Sequence, residues 1–128
     1  MKILITGGTG FIGAHLAKYC LKKSNIVHIC DNNIRGTKDS FVDKMINQGA
    51  KFIKCDLTNK EELNKLDDHY DIIFHFAAIN GTENFYKIPY MVMTVGILST
   101  MYLLEKYGNK NAKFIFSSSS ETYASTFK

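Results

Sequence analysis

A run of glycines near the start of the chain has a spacing that could support chemistry. Gly7, Gly10 and Gly13 lie three residues apart, directly after an apolar run at 3–5 and before a helical pattern. Glycines permit a tight turn and close backbone approach, and the helix that follows directs free N–H groups at an anion. The alternative is a glycine-rich turn that binds nothing, which the flanking strand and helix disfavour. The segment therefore predicts a dinucleotide pyrophosphate site at Gly7, Gly10, Phe11, Ile12 and Gly13.

Two carboxylates follow apolar runs farther along the chain. Asp31 stands where a carboxylate accepts hydrogen bonds from the adenosine ribose and repels a 2′-phosphate, which favours NAD over NADP. A loop-capping role is the alternative, and Arg35 nearby argues for NADP. Asp56 could receive the adenine amino group while Leu57 packs on the ring. From physics alone, an interaction of Asp56 with a helix dipole explains that residue almost as well.

Two further segments supply small and polar side chains. Ala77 and Ala78 would let a cofactor lie against the backbone, whereas His75 is expected to pack inside its strand. The segment 117–123 contains four serines, a glutamate, a threonine and a tyrosine. Serines and a carboxylate at a sheet edge could polarise a substrate hydroxyl and move a proton. A polar loop that caps the next helix is the alternative for this segment.

Alternating strands and helices must position these residues. The apolar runs predict five strands and the helical patterns four helices. The strands are Lys2–Thr6, Ile26–Cys30, Lys51–Cys55, Asp71–Phe76 and Lys113–Ser117. The helices are Phe11–Lys23, Asp39–Gln48, a short one from a Thr58–Glu61 capping box to Leu66, and Ile88–Tyr107 with Gly108 as its stop. Continuous apolar strands indicate a parallel sheet covered on both faces. We therefore predict an α/β, Rossmann-type doubly wound sheet of at least five strands in the order 3-2-1-4-5, with ligand at the strands' carboxyl ends.

The composition limits the class of protein. The chain has 128 residues, 45% of them hydrophobic and 22% charged, as in one ordinary globular domain. Its net charge of +4 comes from scattered lysines, which is too diffuse to indicate nucleic acid. No apolar run approaches the roughly 20 residues of a membrane span, and no signal peptide is evident, so we expect a cytoplasmic protein. Cys20, Cys30 and Cys55 lack metal-ligand spacing and are expected to be core thiols, so no metal site is predicted.

Together these motifs resemble the extended short-chain dehydrogenase/reductase family of NAD-dependent nucleotide-sugar epimerases and dehydratases. The resemblance implies bound NAD and a nucleotide-activated sugar that is oxidised at C4 to a transient ketone, then epimerised, dehydrated or decarboxylated. It implies that Ser119 hydrogen-bonds the C4 hydroxyl. It also implies that Glu121 takes the position where dehydratases and decarboxylases commonly carry Glu, which in the dehydratases is associated with proton transfer at the sugar's C5. The cofactor residues that it adds to those above are Asn32, Phe76 and Ser117.

Three features depart from the family pattern. The Tyr-x-x-x-Lys pair that removes the hydroxyl proton would lie beyond Lys128, Gly96 replaces the usual Asn of the long helix, and Phe85 and Tyr86 are bulky. We therefore expect residues 1–128 to be the NAD-binding domain of a longer enzyme, inactive alone and homodimeric when complete through two helices, one being Ile88–Tyr107. The alternatives are a non-catalytic NAD(P)-binding sensor or scaffold, and an NADP-dependent carbonyl reductase. Asp31 speaks against the reductase.

Overall fold

A computed structural model describes residues 1–34 and 40–123, with only the backbone of Ser120 and Glu121. The strands are β1 (Lys2–Thr6), β2 (Ile26–Asp31), β3 (Lys51–Lys54), β4 (Ile72–His75) and β5 (Lys113–Phe116). The α-helices are α1 (Phe11–Lys22), α2 (Ser40–Asn47), α3 (Thr82–Lys87) and α4 (Pro89–Tyr107). Two 3₁₀ helices span Glu62–Lys65 and Ser120–Tyr123. Each predicted strand agrees with its observed range to within a residue or two.

The five strands form one parallel sheet in the order β3-β2-β1-β4-β5. Strand β1 is central, since Ile3 is in register with Val27 of β2 on one side and Ile72 of β4 on the other. The predicted fold class and strand order are confirmed. Because the strands are parallel, their carboxyl ends and the loops that follow them meet at one edge of the sheet.

The two faces of the sheet have separate cores, which explains why the strands read as continuous apolar runs. Ile3 and Ile5 pack with α1 and α2 on one face, while Leu4 between them packs toward Leu103 of α4 on the other. All three cysteines are buried and unbridged, as the core-thiol interpretation predicts. In the part of the chain that the structure describes, no helix is long and apolar enough to cross a bilayer.

Three local features differ from the predictions. Thr58 does not begin a capping box with Glu61, because the Thr58 hydroxyl donates to Asp56 Oδ1 at 2.7 Å instead. Helix α4 ends at Tyr107 as predicted and Gly108 follows it, but Gly108 has φ −57° and not the left-handed conformation of a glycine stop; Asn111, three residues on, has φ 57°. Helix α3 was not predicted, because none of its residues is buried and it therefore lacks an apolar repeat.

Candidate functional site

The glycine turn is packed too tightly for side chains. Gly7 has φ 65°, and a Cβ there would lie 2.9 Å from the Ala77 nitrogen. A Cβ on Gly13 would lie 2.4 Å from the Gly7 carbonyl oxygen, far inside van der Waals contact. The turn thus joins β1 to α1 with its backbone against the end of β4, and this close approach requires glycine.

The beginning of α1 presents unused hydrogen-bond donors. Gly10 N–H donates to the Gly7 carbonyl at 3.1 Å, and the Gly10 carbonyl accepts from Ala14 N–H at 2.9 Å. The N–H groups of Phe11, Ile12 and Gly13 have no acceptor among residues 1–34 and 40–123. No acidic side chain occupies the first turn of α1. These donors, at the positive end of the helix dipole, suit a phosphate group.

The Asp31 carboxylate is held beside this turn. Its Oδ2 accepts from Thr9 N–H at 3.2 Å and its Oδ1 from Asn33 N–H at 2.9 Å. The bond from Thr9 ties the end of β2 to the glycine turn, and the bond from Asn33 is the loop contact that the alternative interpretation expected. Each carboxylate oxygen retains acceptor capacity for a ribose hydroxyl. Arg35 lies outside the described residues.

Asp56 follows β3 in a constrained turn. Its Oδ1 accepts from both the N–H and the hydroxyl of Thr58, at 2.9 and 2.7 Å, while its own N–H donates to Glu62 Oε2 at 3.0 Å. Its Oδ2 accepts no hydrogen bond from the part of the chain that is described. Leu57 is 5% exposed and belongs mainly to the core, so only its edge reaches the surface of the cleft described next.

These segments surround one cleft of about 1180 Å³ at the carboxyl edge of the sheet. Every residue predicted to bind the cofactor lines it: Gly7, Gly10, Phe11, Ile12, Gly13, Asp31, Asn32, Asp56, Leu57, Phe76, Ala77, Ala78 and Ser117. Sequence reasoning missed part of the opposite wall, formed by Tyr90, Met91, Thr94 and Val95 of α4. Tyr90 and Thr94 are four residues apart, so they lie on the same face of α4. This spacing does not indicate that the shared face lines the cleft.

The strand β4 wall of the cleft contains a buried histidine. His75 is 2% exposed, as expected for a residue inside its strand, and burial lowers its pKa to about 4. Its ring contacts Thr6 of β1 and Thr100 of α4, with Nδ1 2.7 Å from Thr6 Oγ1 and Nε2 3.1 Å from Thr100 Oγ1. At the strand end, Ala77 and Ala78 present little side chain to the cleft.

Ser119 lies where the cleft meets a second cavity. That cavity has a volume of about 530 Å³ and is lined by Ser119 with Gly81, Thr82, Phe85 and Tyr86 of the α3 region. Ser119 also lines the larger cleft, so the two cavities adjoin at this residue. The Ser119 carbonyl accepts from the Thr122 hydroxyl at 2.8 Å, which holds the start of the terminal 3₁₀ helix. The Glu121 side chain lies outside the described residues.

Comparison with known proteins identifies the family of the chain. The sequence model of the NAD dependent epimerase/dehydratase family matches residues 3–128. The chain belongs to this family. The resemblance inferred from its motifs is thereby confirmed, and the family is NAD dependent.

The relatives of this chain include enzymes with different activities. A dTDP-D-glucose 4,6-dehydratase of Dictyostelium discoideum is 36% identical over 97% of the chain and 30% of its own length. A UDP-N-acetyl-alpha-D-glucosaminuronate decarboxylase of Bacillus cytotoxicus is 31% identical over 95% of the chain and 37% of its own length. The solved structure of a Bifidobacterium longum UDP-glucose 4-epimerase with NAD+ and UDP superimposes with a TM-score of 0.86 at 25% identity. It covers 97% of the chain and 38% of the epimerase. The chain thus spans about a third of these relatives.

Proposed function

We propose that this chain is the NAD-binding part of an enzyme that acts on a nucleotide-activated sugar. One observation carries the proposal: the free N–H groups of Phe11, Ile12 and Gly13 share a single cleft with the Asp31 carboxylate. That pairing suits a dinucleotide, which presents a pyrophosphate and a ribose diol at a fixed separation. When bound, NAD supplies an acceptor for the hydride removed from the sugar.

Different residues of the cleft bind different parts of the cofactor. The first turn of α1 holds the pyrophosphate through backbone N–H groups, and Asp31 accepts the adenosine ribose hydroxyls. Asp56 Oδ2 accepts from the adenine amino group. Ala77 and Ala78 allow the cofactor to lie against the end of β4. The side chains of Phe11 and Ile12 line the cleft and are largely exposed, so their apolar surface is available to a bound cofactor.

The substrate belongs in the second cavity, beside Ser119. In this proposal the Ser119 hydroxyl hydrogen-bonds the sugar C4 hydroxyl at the junction of the two cavities, and Glu121 assists proton transfer at C5. Thr82 offers a further hydroxyl, while the rings of Phe85 and Tyr86 offer apolar faces. The lining contains both hydroxyls and aromatic rings, which suits a pyranose because a sugar presents both C–H faces and polar edges.

Residues 1–128 correspond, in this proposal, to the cofactor domain of a longer protein. The relatives are about three times as long, and the family resemblance assigns the Tyr-x-x-x-Lys proton acceptor to a position after Lys128. The described portion is then expected to bind NAD while turning over no substrate. Whether the complete protein epimerises, dehydrates or decarboxylates its sugar depends on residues of the remaining two thirds.

Calorimetric titration of the chain with NAD and with NADP tests the cofactor assignment. We expect NAD to bind, and NADP to bind at least about tenfold more weakly because its 2′-phosphate faces Asp31. Asp31→Ala should weaken NAD binding and reduce the difference in affinity between NAD and NADP. Asp68→Ala is the matched control, because Asp68 is exposed beside Lys106 and Lys110, away from the cleft. Absence of NAD binding, or equal effects of the two substitutions, would contradict the proposal.

A second candidate is a binding module without turnover. Gly96 lines the cleft in place of the Asn that the family resemblance implies, and this observation favours the module. The two candidates differ in one sequence feature of the complete protein, the Tyr-x-x-x-Lys pair. Peptide mapping of the protein from its source cells decides between them, since a complete chain without that pair would favour the sensor or scaffold.

A further inference from the structure

A buried polar cluster connects the two walls of the cleft. Thr6 of β1 is 0% exposed, His75 of β4 is 2% exposed and Ser99 of α4 is 1% exposed. No other group of buried polar side chains in residues 1–34 and 40–123 links β1, β4 and α4 in this way. Such a cluster costs free energy unless every donor meets an acceptor, so its hydrogen-bond directions carry information.

The Thr6 hydroxyl determines the protonation pattern of the histidine. Thr6 Oγ1 accepts from the N–H groups of Phe76 and Ala77, each at 3.2 Å, and the Phe76 N–H is shared with the Thr6 carbonyl oxygen, also at 3.2 Å. These two donors occupy both lone pairs of the hydroxyl oxygen. The hydroxyl hydrogen therefore has to point at His75 Nδ1, only 2.7 Å away. Nδ1 is then an acceptor, because a protonated Nδ1 would make a third donor to the same oxygen and leave the hydroxyl hydrogen without an acceptor.

The opposite side of the ring must carry the proton. With Nδ1 accepting, neutral His75 is protonated at Nε2, which donates to Thr100 Oγ1 at 3.1 Å and also faces Ser99 Oγ at 3.3 Å. The other tautomer would let the Ser99 hydroxyl donate to Nε2, but it would leave the hydrogen of the Thr6 hydroxyl, which is nearer to the ring at 2.7 Å, without an acceptor. Thr100 Oγ1 in turn donates to the Gly96 carbonyl at 2.7 Å. A single direction of donation thus runs from the amides at the end of β4, through His75, to the α4 backbone at Gly96.

Both ends of this chain of hydrogen bonds belong to the cleft. Phe76 and Ala77 form the β4 wall of the cleft. The Ala77 nitrogen packs so closely against the glycine turn that a Cβ on Gly7 would lie 2.9 Å from it. Gly96 and Ser99 line the α4 wall. A shift of the two amides would therefore move the surface against which the glycine turn and the cofactor rest.

We propose that His75, as the Nε2–H tautomer, is a positioning residue that fixes the Phe76–Ala77 amides through Thr6 and ties them to α4 through Thr100. The inference rests on the proposed NAD site, because it explains how the wall of that site is held. His75 itself need not touch the cofactor. Its role is to accept the hydrogen of the Thr6 hydroxyl, so that the lone pairs of Thr6 Oγ1 accept from the two amides.

Nuclear magnetic resonance on the complete chain tests the hydrogen-bond pattern without any cofactor. We expect the His75 imidazole to show an unprotonated Nδ1 and a protonated Nε2 at neutral pH. In His75→Phe the Thr6 hydroxyl loses its acceptor, so the amide resonances of Phe76 and Ala77 should shift and exchange faster with solvent. In His75→Asn the Asn Oδ1 can replace Nδ1, so these amides should change less while Ser99 and Thr100 change more. A protonated Nδ1, or unshifted amides in His75→Phe, would overturn the inference.

NAD titration of the same variants tests the consequence for binding. His75→Phe should weaken NAD binding by about tenfold and His75→Asn by less, because the conservative variant keeps the acceptor for Thr6. Leu103→Ala is the control: it opens a cavity at a buried residue of α4 that does not itself line the cleft, so it should lower stability and leave NAD affinity within about twofold. Equal losses of affinity in His75→Phe and Leu103→Ala would show a merely structural effect and overturn the positioning role.

The two proposals fail in different ways. If the native chain does not bind NAD, the proposed function fails, while the imidazole tautomer and the amide shifts still decide whether His75 fixes Phe76 and Ala77. If His75→Phe does not fold, His75→Asn and Thr100→Val carry the test. Thr100→Val removes the α4 link while leaving Thr6 its acceptor, so it should resemble His75→Asn in NAD affinity. A native-like amide spectrum in both variants, together with unchanged Ser99 shifts, would exclude the link to α4.

Discussion

Gly13 and Gly96 stand in opposite steric surroundings, although both line the same cleft. A methyl group on Gly13 would lie 2.4 Å from the Gly7 carbonyl oxygen, which is a backbone atom that cannot move aside. We expect Gly13→Ala to destabilise the fold by about 1–3 kcal/mol, as overpacking does, and to abolish NAD binding. Urea unfolding and calorimetric titration measure the two effects. A variant with native stability and native affinity would show that the turn tolerates a side chain.

Gly96 provides the contrasting case within α4. A Cβ added there meets no heavy atom within 4 Å, and the residue lies inside a regular 19-residue helix. Because glycine inside a helix costs about 1 kcal/mol relative to alanine, Gly96→Ala should raise the free energy of unfolding by about that amount. Urea unfolding of the variant beside the native chain measures the difference. A loss of stability would mean that the helix needs glycine at this position for a reason other than space.

The titration of His75 links residue chemistry to stability. Burial lowers its pKa from 6.5 in the unfolded chain to about 4 in the native chain. Between those values the unfolded state binds the extra proton, so the free energy of unfolding should fall as the pH falls from 6.5 toward 4. Above pH 6.5 both states are neutral at this ring and the contribution is fully present.

Comparison of His75→Asn with the native chain isolates this contribution. The variant should lose stability less steeply over the same pH range, measured by urea unfolding at several pH values. Leu103→Ala is the control, because it lowers stability without removing a titrating group and should retain the native slope. His28, whose pKa burial also lowers, titrates in every variant and cancels from the difference. Identical slopes in all three proteins would contradict the assignment.

At the scale of elements, the sequence predicted the strands and helices that carry a regular apolar pattern and missed those that do not. The five strands were predictable because apolar runs such as Ile3-Leu4-Ile5 have to be covered on both faces. Helix α3 was not, because it buries none of its residues and so carries no apolar repeat. The cleft residues at the strand ends were predictable from the parallel topology. The α4 wall was not, since the helical pattern alone does not say which face meets the cleft.

The loop after β3 shows how a spacing rule can select the wrong carboxylate. The Ser/Thr-x-x-Glu pattern assigns a reciprocal cap to Thr58 and Glu61, whereas Glu62 accepts the Asp56 N–H at 3.0 Å and pairs with Lys65 at 2.7 Å. We therefore expect Glu62→Ala to lower the melting temperature more than Glu61→Ala does. Thermal unfolding followed by circular dichroism compares the two. A larger decrease in melting temperature for Glu61→Ala than for Glu62→Ala would support the capping box.

At the scale of the whole molecule, α4 has an apolar face without a partner in the described chain. Met93, Ile97, Met101 and Leu104 recur at helical spacing and are between 45% and 56% exposed. An apolar stripe of this kind marks an interaction surface, and the family resemblance implies a homodimer formed through this helix. We expect the complete protein to be a dimer that Ile97→Lys weakens, as measured by sedimentation velocity.

The control for this assembly prediction lies on another helix. Tyr19 of α1 is 59% exposed, so Tyr19→Lys changes an apolar surface residue to a cation without touching α4. That variant should sediment as the native protein does. Equal dissociation in both variants would point to a general effect of charge, and a native-like dimer in Ile97→Lys would place the interface elsewhere.

The central position of β1 has a consequence for how the protein is made. Strand β1 leaves the ribosome before the other strands of the sheet, yet β4, one of the two strands that pair with it, ends only at His75. Until that segment emerges, the central strand of the sheet has an open edge with unpaired N–H and C=O groups. A nascent chain stalled before residue 72 should therefore need chaperone protection, and one stalled after β4 has left the exit tunnel should need it far less.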